Sequence, residues 1–471
     1  MSSSSQSELK LSDGEQQTVV RQVIRRVMPL MFLGYVIAYI DRVNVGFAQL
    51  GMGVELGINA AAYGLAASIF FISYFIFEIP SNILLERFGA RRWIARIMIS
   101  WGIVTVLTGF VNSEHMLYAA RFLLGFAEAG FFPGMILYLT MWFRGRDRGK
   151  ALGWLILAQP IAYIVGGTVG GLILDHIDWF GLTPWRWVFI LSGIPAVLLG
   201  VVIFLFFPDS PTTAAWLSDR ARTWLVSAIS TENEKSAEDA PDGSGTDGLR
   251  AQLSALRSRR VLHLSAILFF YTVGFYGFNM FVPLILRQIN PSYSATNIGV
   301  AAIAPYLCGA LSTLAGARMT RDTNRLGTVV VVFGGALAVG LLGTITFSEH
   351  PTIALVTLSI AAVGCFGFLG PFWSMATNGL PKKHAVVGIA LINAVANLGG
   401  FFGPYLVGKN SIGTTVTVGL FIPFGSVVIG IALVLGWMES ERRRRHTALK
   451  PDAAKSCLPA PLHSNTQKIM P

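Results

Sequence analysis

Long apolar blocks alternate along this chain with short polar stretches rich in Arg, Gly and Pro. A helix rises 1.5 Å per residue, so about 20 apolar residues are needed to cross roughly 30 Å of hydrocarbon. Twelve blocks reach that length, at 28 to 50, 61 to 85, 93 to 112, 116 to 143, 150 to 174, 187 to 207, 263 to 288, 296 to 319, 326 to 347, 352 to 378, 385 to 408 and 414 to 438. From 208 to 262 the apolar pattern lapses, and Glu232 to Gly248 is acidic and rich in Ser and Gly, which predicts a flexible linker. The chain therefore reads as a tail (1–27), a six-helix bundle (28–207), a linker (208–262), a second six-helix bundle (263–438) and a second tail (439–471). The fold class this predicts is an all-α integral membrane protein of twelve transmembrane helices in two halves, which would meet at a central pathway.

Composition agrees with lipid as the solvent. Hydrophobic residues make up 53 % and charged residues 13 %, about half the charge of a soluble domain, which argues against a soluble enzyme. The net charge of +11 raises the question of a nucleic-acid partner. Of the 36 Lys and Arg, however, nearly all lie in the two tails, the linker and alternate loops, such as Arg87, Arg91 and Arg92, then Arg144 and Arg148, then Arg318 and Arg325. Only Arg186, Arg287 and Lys409 fall in the opposite loops. That asymmetry is the positive-inside pattern and places both termini and the linker in the cytoplasm; it forms no single basic groove of the kind nucleic acid needs. The three Cys show no metal-ligand or disulfide spacing, and no cofactor is expected. The polar, Ser-rich start has no apolar stretch with a cleavage site, so the first membrane helix itself would direct insertion. The basic run Arg442 to Arg445 reads as an anchor at the membrane surface.

A charged side chain inside a membrane helix costs about 2.5 to 3.5 kcal/mol, so each one needs a reason. In the first half these are Asp41, Arg42, Glu78, Arg121 and Glu128; the second half has none that is central. Arg121, Gly125 and Glu128 are spaced i, i+4, i+7 and share one face of a helix, with Gly125 letting another helix approach between the charges. Asp41 and Arg42 diverge by about 100° around theirs. The four form either a structural ion-pair network or the wall of a transport pathway. Burial disfavours an ionised carboxylate and a neighbouring Arg favours it. An anion that engages Arg42 would therefore ease protonation of Asp41 or Glu128, coupling anion and proton reciprocally. Two short loops with Arg and acid, Glu86, Arg87 and Arg91 in one half and Asp322 in the other, are either topology charge or a cytoplasmic gate latch. Among the aromatic and polar residues of the second half, Tyr271, Tyr276, Asn279 and Trp373 either pack or face substrate. Trp373 is the strongest candidate, because Gly370 and Pro371 should distort its helix and open backbone groups to a cavity.

Four segments in order carry a resemblance that covers nearly all of the membrane region: Tyr39 to Ala48 (YIDRVNVGFA), Phe77 to Arg92 (FEIPSNILLERFGARR), Arg121 to Gly134 (RFLLGFAEAGFFPG) and Gly388 to Tyr405 (GIALINAVANLGGFFGPY). With them the chain resembles the anion:cation symporter family of the major facilitator superfamily. The resemblance implies the major facilitator fold and proton-coupled uptake of an organic carboxylate, such as a sugar acid, tartrate, phthalate or an aromatic acid. It implies that Asp41 and Glu128 are proton-coupling acids, that Arg42 binds the carboxylate and that Arg121 tunes Glu128. It further implies that Tyr74, Gln159 and Asn393 contact substrate. Glu86 and Asn82 depart from the general superfamily loop, and Ser192 stands where many members carry Glu, which bears on gate details.

The expected partners are a small organic anion, protons and the lipid bilayer, with no nucleic acid and a single chain as the working unit; the energy source would be the proton gradient and the location the cell inner membrane. An organic-anion or drug exporter working as a proton antiporter would share the same residues. A membrane solute sensor is a remote alternative, since 208–262 holds no output domain. No Walker loop, metal-spaced His cluster or Ser and His pair marks an enzyme.

Overall fold

The computed structural model describes residues 11–238, 257–320, 322–380, 385–413 and 415–449. Part of the acidic linker stretch, from 239 to 248, and the outer parts of both tails lie outside them. The first half holds α1 (Asp13–Glu55), α2 (Ala60–Phe88), α3 (Ala90–Thr108), α4 (Glu114–Glu128), α5 (Phe131–Trp142), α6 (Gly145–His176) and α7 (Pro184–Phe206), followed by α8 (Asp219–Glu238). The second holds α9 (Arg259–Asn279), α10 (Val282–Ile289), α11 (Ala295–Met319), α12 (Leu326–Thr346), α13 (Pro351–Gly367), α14 (Leu369–Gly379), α15 (Ala385–Lys409) and α16 (Phe421–Leu449). Among the described residues eleven helices, counting α4 with α5 and α13 with α14 as single spans, are long and apolar enough to cross a membrane. The span expected at 93 to 112 falls on α3, which is not among them; Arg91, Arg92 and Arg96 occupy its first turns.

Several elements differ from expectation for local reasons. α1 begins at Asp13, well before residue 28, because Ser12 and Glu15 form a capping box. The Ser12 amide donates to Glu15 Oε2 at 2.8 Å and the Glu15 amide to Ser12 Oγ at 3.4 Å, satisfying the free N–H groups of the first turn. At 43 residues α1 is about 65 Å long, twice the hydrocarbon thickness. The expected span 116 to 143 is broken between α4 and α5 by Gly130, whose φ of +84° is left-handed and costs a residue with Cβ strain. The carbonyl of Ala129 at this break accepts a 2.6 Å bond from Ser81 Oγ, so the interruption leaves no orphan there. The span 352 to 378 is likewise divided between α13 and α14 at Phe368, since Pro371 has no N–H to offer Gly367 four residues back.

The segment 208–262, expected to be a flexible linker, instead contains the 20-residue helix α8. Ala221, Trp224 and Leu225 line one buried face of it, a helical period that the acidic, Ser-rich composition further along conceals. The Arg144 guanidinium sits 4.8 Å from the Trp224 ring, and the α6 amide of Gly145 donates to Glu232 at 2.7 Å. α8 is thereby seated on the start of α6.

The two halves meet where α2 runs along α15 and α6 along α11. At the end where α1 and α6 finish, the contact is tight. Asp175 accepts bonds from the amides of Ala295 (3.1 Å) and Thr296 (2.7 Å), and Tyr63 donates to the carbonyl of Met280 at 2.5 Å. Gly299 lies so close to the Gly167 backbone that a Cβ there would collide with it. At the opposite end Gln22 donates to the Trp216 carbonyl (2.8 Å), Arg91 pairs with Asp209 (3.2 Å) and Arg260 with Glu441. The halves are tied together by backbone and side-chain contacts at the end where α1 and α6 finish.

Candidate functional site

The charged residues of the first half converge at mid-height. Arg42 Nη2 lies 2.6 Å from Glu128 Oε1, joining α1 to α4. The Arg42 side chain is 12 % exposed and that of Glu128 1 %, so the cation is the member of the pair within reach from outside. Its guanidinium is enclosed by rings, with centroids at 4.9 Å for Tyr39, 5.3 Å for Phe70 and 5.7 Å for Tyr74, which stabilise a desolvated cation through their π faces. Arg121, two turns back along the same face of α4, is 5.2 Å from the same Phe70 ring and its Nε donates to the Ala66 carbonyl at 3.4 Å. α2 can come this near because α4 carries Gly125, where a Cβ would strike the backbone of Phe70 and Tyr74.

Asp41 points the other way around α1. One oxygen accepts from Asn44 Nδ2 at 2.9 Å and the other from Thr105 Oγ1 of α3 at 2.9 Å. Asn44 also donates to Ser192 of α7 at 2.8 Å. Asp41 is thus held by neutral donors from two helices, α1 and α3. Sequence reasoning missed Thr105 and Asn44 as its partners, and Phe70 as the ring between the two cations. Asn44 carries a signal in its i, i+3 spacing from Asp41, whereas Thr105 and Phe70 carry none.

Several buried polar atoms of this cluster have no hydrogen-bond partner among the described residues: Arg42 Nε, Arg121 Nη2 and Glu128 Oε2. Unsatisfied buried N–H groups are costly, and an anion or water is the group that would satisfy them. Around the cluster, Gln159 of α6 donates to the Tyr39 hydroxyl and, at 3.4 Å, to that of Tyr35. Tyr74 lies against Arg42, while Asn393 and Trp373 are half-buried on α15 and α14. Trp373 meets the Phe372 ring edge-on at 5.6 Å, and among the described residues no hydrogen bond or ring contact joins it or Asn393 to the charged quartet. Tyr271 spends its hydroxyl on the Cys365 carbonyl and stacks on Phe368 at 3.9 Å, and Asn279 donates to the Phe275 carbonyl at 2.8 Å; both serve packing. Further along α2, Asn397 of α15 donates to Glu78 at 3.3 Å across the two halves.

The loop charges are arranged differently from a latch between halves. Arg91 pairs with Asp209, beyond the end of α7, and Asp322 pairs with Arg325 of its own loop at 3.2 Å. Glu86 and Arg87 are exposed at the end of α2, and among the described residues no ion pair joins them to Asp322.

The model of the Major Facilitator Superfamily matches residues 31–404, across both halves. A quinolone resistance transporter of Acinetobacter baumannii is 37 % identical over 441 residues, covering 92 % of this chain and 98 % of that protein. A relative from Agrobacterium vitis named for tartrate transport is 38 % identical over 421 residues, covering 88 % of this chain and 90 % of its own. Among solved structures, the xylose transporter XylE from E. coli in a partially occluded inward-open conformation superposes with a TM-score of 0.69 at 15 % identity, covering 88 % of this chain and 98 % of that one. The chain belongs to the major facilitator superfamily and is a multi-pass membrane transporter of that fold.

Proposed function

We propose that this protein is a secondary active transporter of the cell inner membrane that carries an organic carboxylate anion together with a proton, by alternating access. The observation that carries the reading is the buried quartet of Asp41, Arg42, Arg121 and Glu128, with donors on both arginines unsatisfied. Two carboxylates against two guanidiniums sum to zero, so the empty site is neutral. Adding an anion alone would leave an uncompensated buried charge, which is strongly disfavoured; adding an anion with one proton restores neutrality. Arg42, reachable and caged by rings, would take the carboxylate. Glu128, displaced from Arg42 by that carboxylate, would take the proton, with Asp41 as a second carrier beside Arg121. Tyr74 and Gln159 border the cage and would contact the rest of the substrate, while Asn393 and Trp373 would close on it from the second half. The basic loops mark the end where α1 begins as the cytoplasmic one, and Glu86, Arg87, Arg91 and Asp322 would regroup there as that end opens and closes.

The test is uptake by proteoliposomes of labelled sugar acids, tartrate, phthalate and hydroxyphenyl carboxylates, with and without an inward proton gradient. Accumulation of a carboxylate only with the gradient is expected; folded protein that accumulates none of them overturns the reading. The similarity to a quinolone resistance transporter favours one second reading, export by proton antiport. Loss of preloaded compound driven by an inward proton gradient would select it.

A further inference from the structure

Glu78 is a carboxylate set beside a path that admits anions, and nothing in the quartet accounts for it. It stands four residues after Tyr74 on α2, hence on the same face about 6 Å further along the helix axis, toward the end where α2 finishes. Asn397, its partner at 3.3 Å, stands four residues after Asn393 on α15. The two helices run antiparallel, so Tyr74 and Asn393 lie one turn to either side of this contact, Tyr74 toward the tied end and Asn393 away from it. Glu78 is half-buried, and among the described residues its ion pairs include no Arg or Lys, unlike Glu128. Its carboxylate is held as an acceptor by a neutral amide, one turn along α2 from the Tyr74 ring of the Arg42 cage.

We infer that Glu78, positioned by Asn397, is a charge filter that sets substrate specificity: it admits a monocarboxylate whose far end presents a hydrogen-bond donor and rejects one whose far end is a second carboxylate. The inference rests on the carboxylate-transport reading above. With the first carboxylate on Arg42, a substrate that passes the Tyr74 ring and reaches one further helical turn along α2, about 6 Å, places its other end at Glu78. A hydroxyl there donates to the carboxylate, whereas a second carboxylate meets a like charge at short range in a poorly screened site.

Matched pairs test this: 4-hydroxybenzoate against terephthalate, and gluconate against glucarate, measured as initial uptake into proteoliposomes under an inward proton gradient. The wild-type chain should carry a monocarboxylate at least about tenfold faster than its dicarboxylate match. Glu78→Gln should raise the dicarboxylate rate relative to the monocarboxylate by about tenfold or more, and Asn397→Asp, which adds a second negative charge, should move the ratio the opposite way. Wild-type uptake of both members of a pair at equal rates overturns the filter, as does a ratio unchanged in both variants. Should Glu78→Gln fail to fold, judged by elution and thermal unfolding, Asn397→Asp decides alone. Folded wild-type protein that carries none of the four compounds overturns the transport reading itself, and the filter with it.

Discussion

Arg42 and Glu128 hold each other at 2.6 Å in a site where both are largely cut off from water, and removing one partner of such a pair leaves the other uncompensated. The two variants should therefore fail differently. Arg42→Ala removes the proposed carboxylate ligand and should abolish substrate binding, with affinity reduced at least about a hundredfold, read by ligand-induced thermal stabilisation. Glu128→Gln keeps the shape and a hydrogen-bond acceptor for Arg42 but cannot take up a proton. It should retain binding and exchange of substrate across the membrane while losing accumulation driven by the proton gradient; retained accumulation would remove Glu128 from the coupling. At this scale the sequence is legible where it breaks its own pattern. Five charges within apolar segments stand out because each is costly in lipid. Thr105 and Phe70, which complete the site, are ordinary residues of membrane helices and become visible only when α3 and α2 are folded against α1.

The interrupted α4 and α5 show how an element is shaped by a residue from its neighbour. Gly130 permits the turn, and Ser81 of α2 satisfies the Ala129 carbonyl it frees. Ser81→Ala should cost about 1 to 3 kcal/mol, seen as a lowered midpoint of thermal unfolding in detergent; an unchanged midpoint would mean that water takes over the bond. The break lies directly after Glu128, so the same variant should also slow transport. The apolar blocks foretell most helices, since length and hydropathy are local properties. They do not foretell α8, whose burial depends on Arg144 and Glu232 reaching across from α6 and α8, nor the start of α1, which a two-residue capping motif sets in otherwise polar chain.

At the scale of the whole molecule the halves are joined at one end, and Asp175 contributes two of those bonds by capping the first turn of α11 from the end of α6. A carboxylate at a helix N-terminus is favoured by the free N–H groups and the dipole there. Asp175→Ala should loosen this end. Ile298, fully buried beside it, replaced by Cys in a chain without its native Cys, should react with a membrane-impermeant thiol reagent several-fold faster in the Asp175→Ala background. Equal rates would show that Tyr63 and the α6–α11 backbone contact hold the end closed without it. Two bundles of helices are legible from the spacing of apolar blocks, whereas which end is closed depends on contacts between residues more than a hundred positions apart and leaves no trace in a linear pattern.

The neutrality of the quartet bears on membrane voltage. The fixed charges of the protein return to their starting places over a complete cycle, so only the cargo can move net charge across the bilayer. One proton accompanying one monocarboxylate moves none, although a single elementary charge would be worth about 2.3 kcal/mol per 100 mV. Uptake at a fixed pH difference should then be indifferent to a potassium diffusion potential of either sign. A cell using such a carrier could scavenge a dilute acid from its surroundings without depolarising itself, at a rate set by the acidity outside alone.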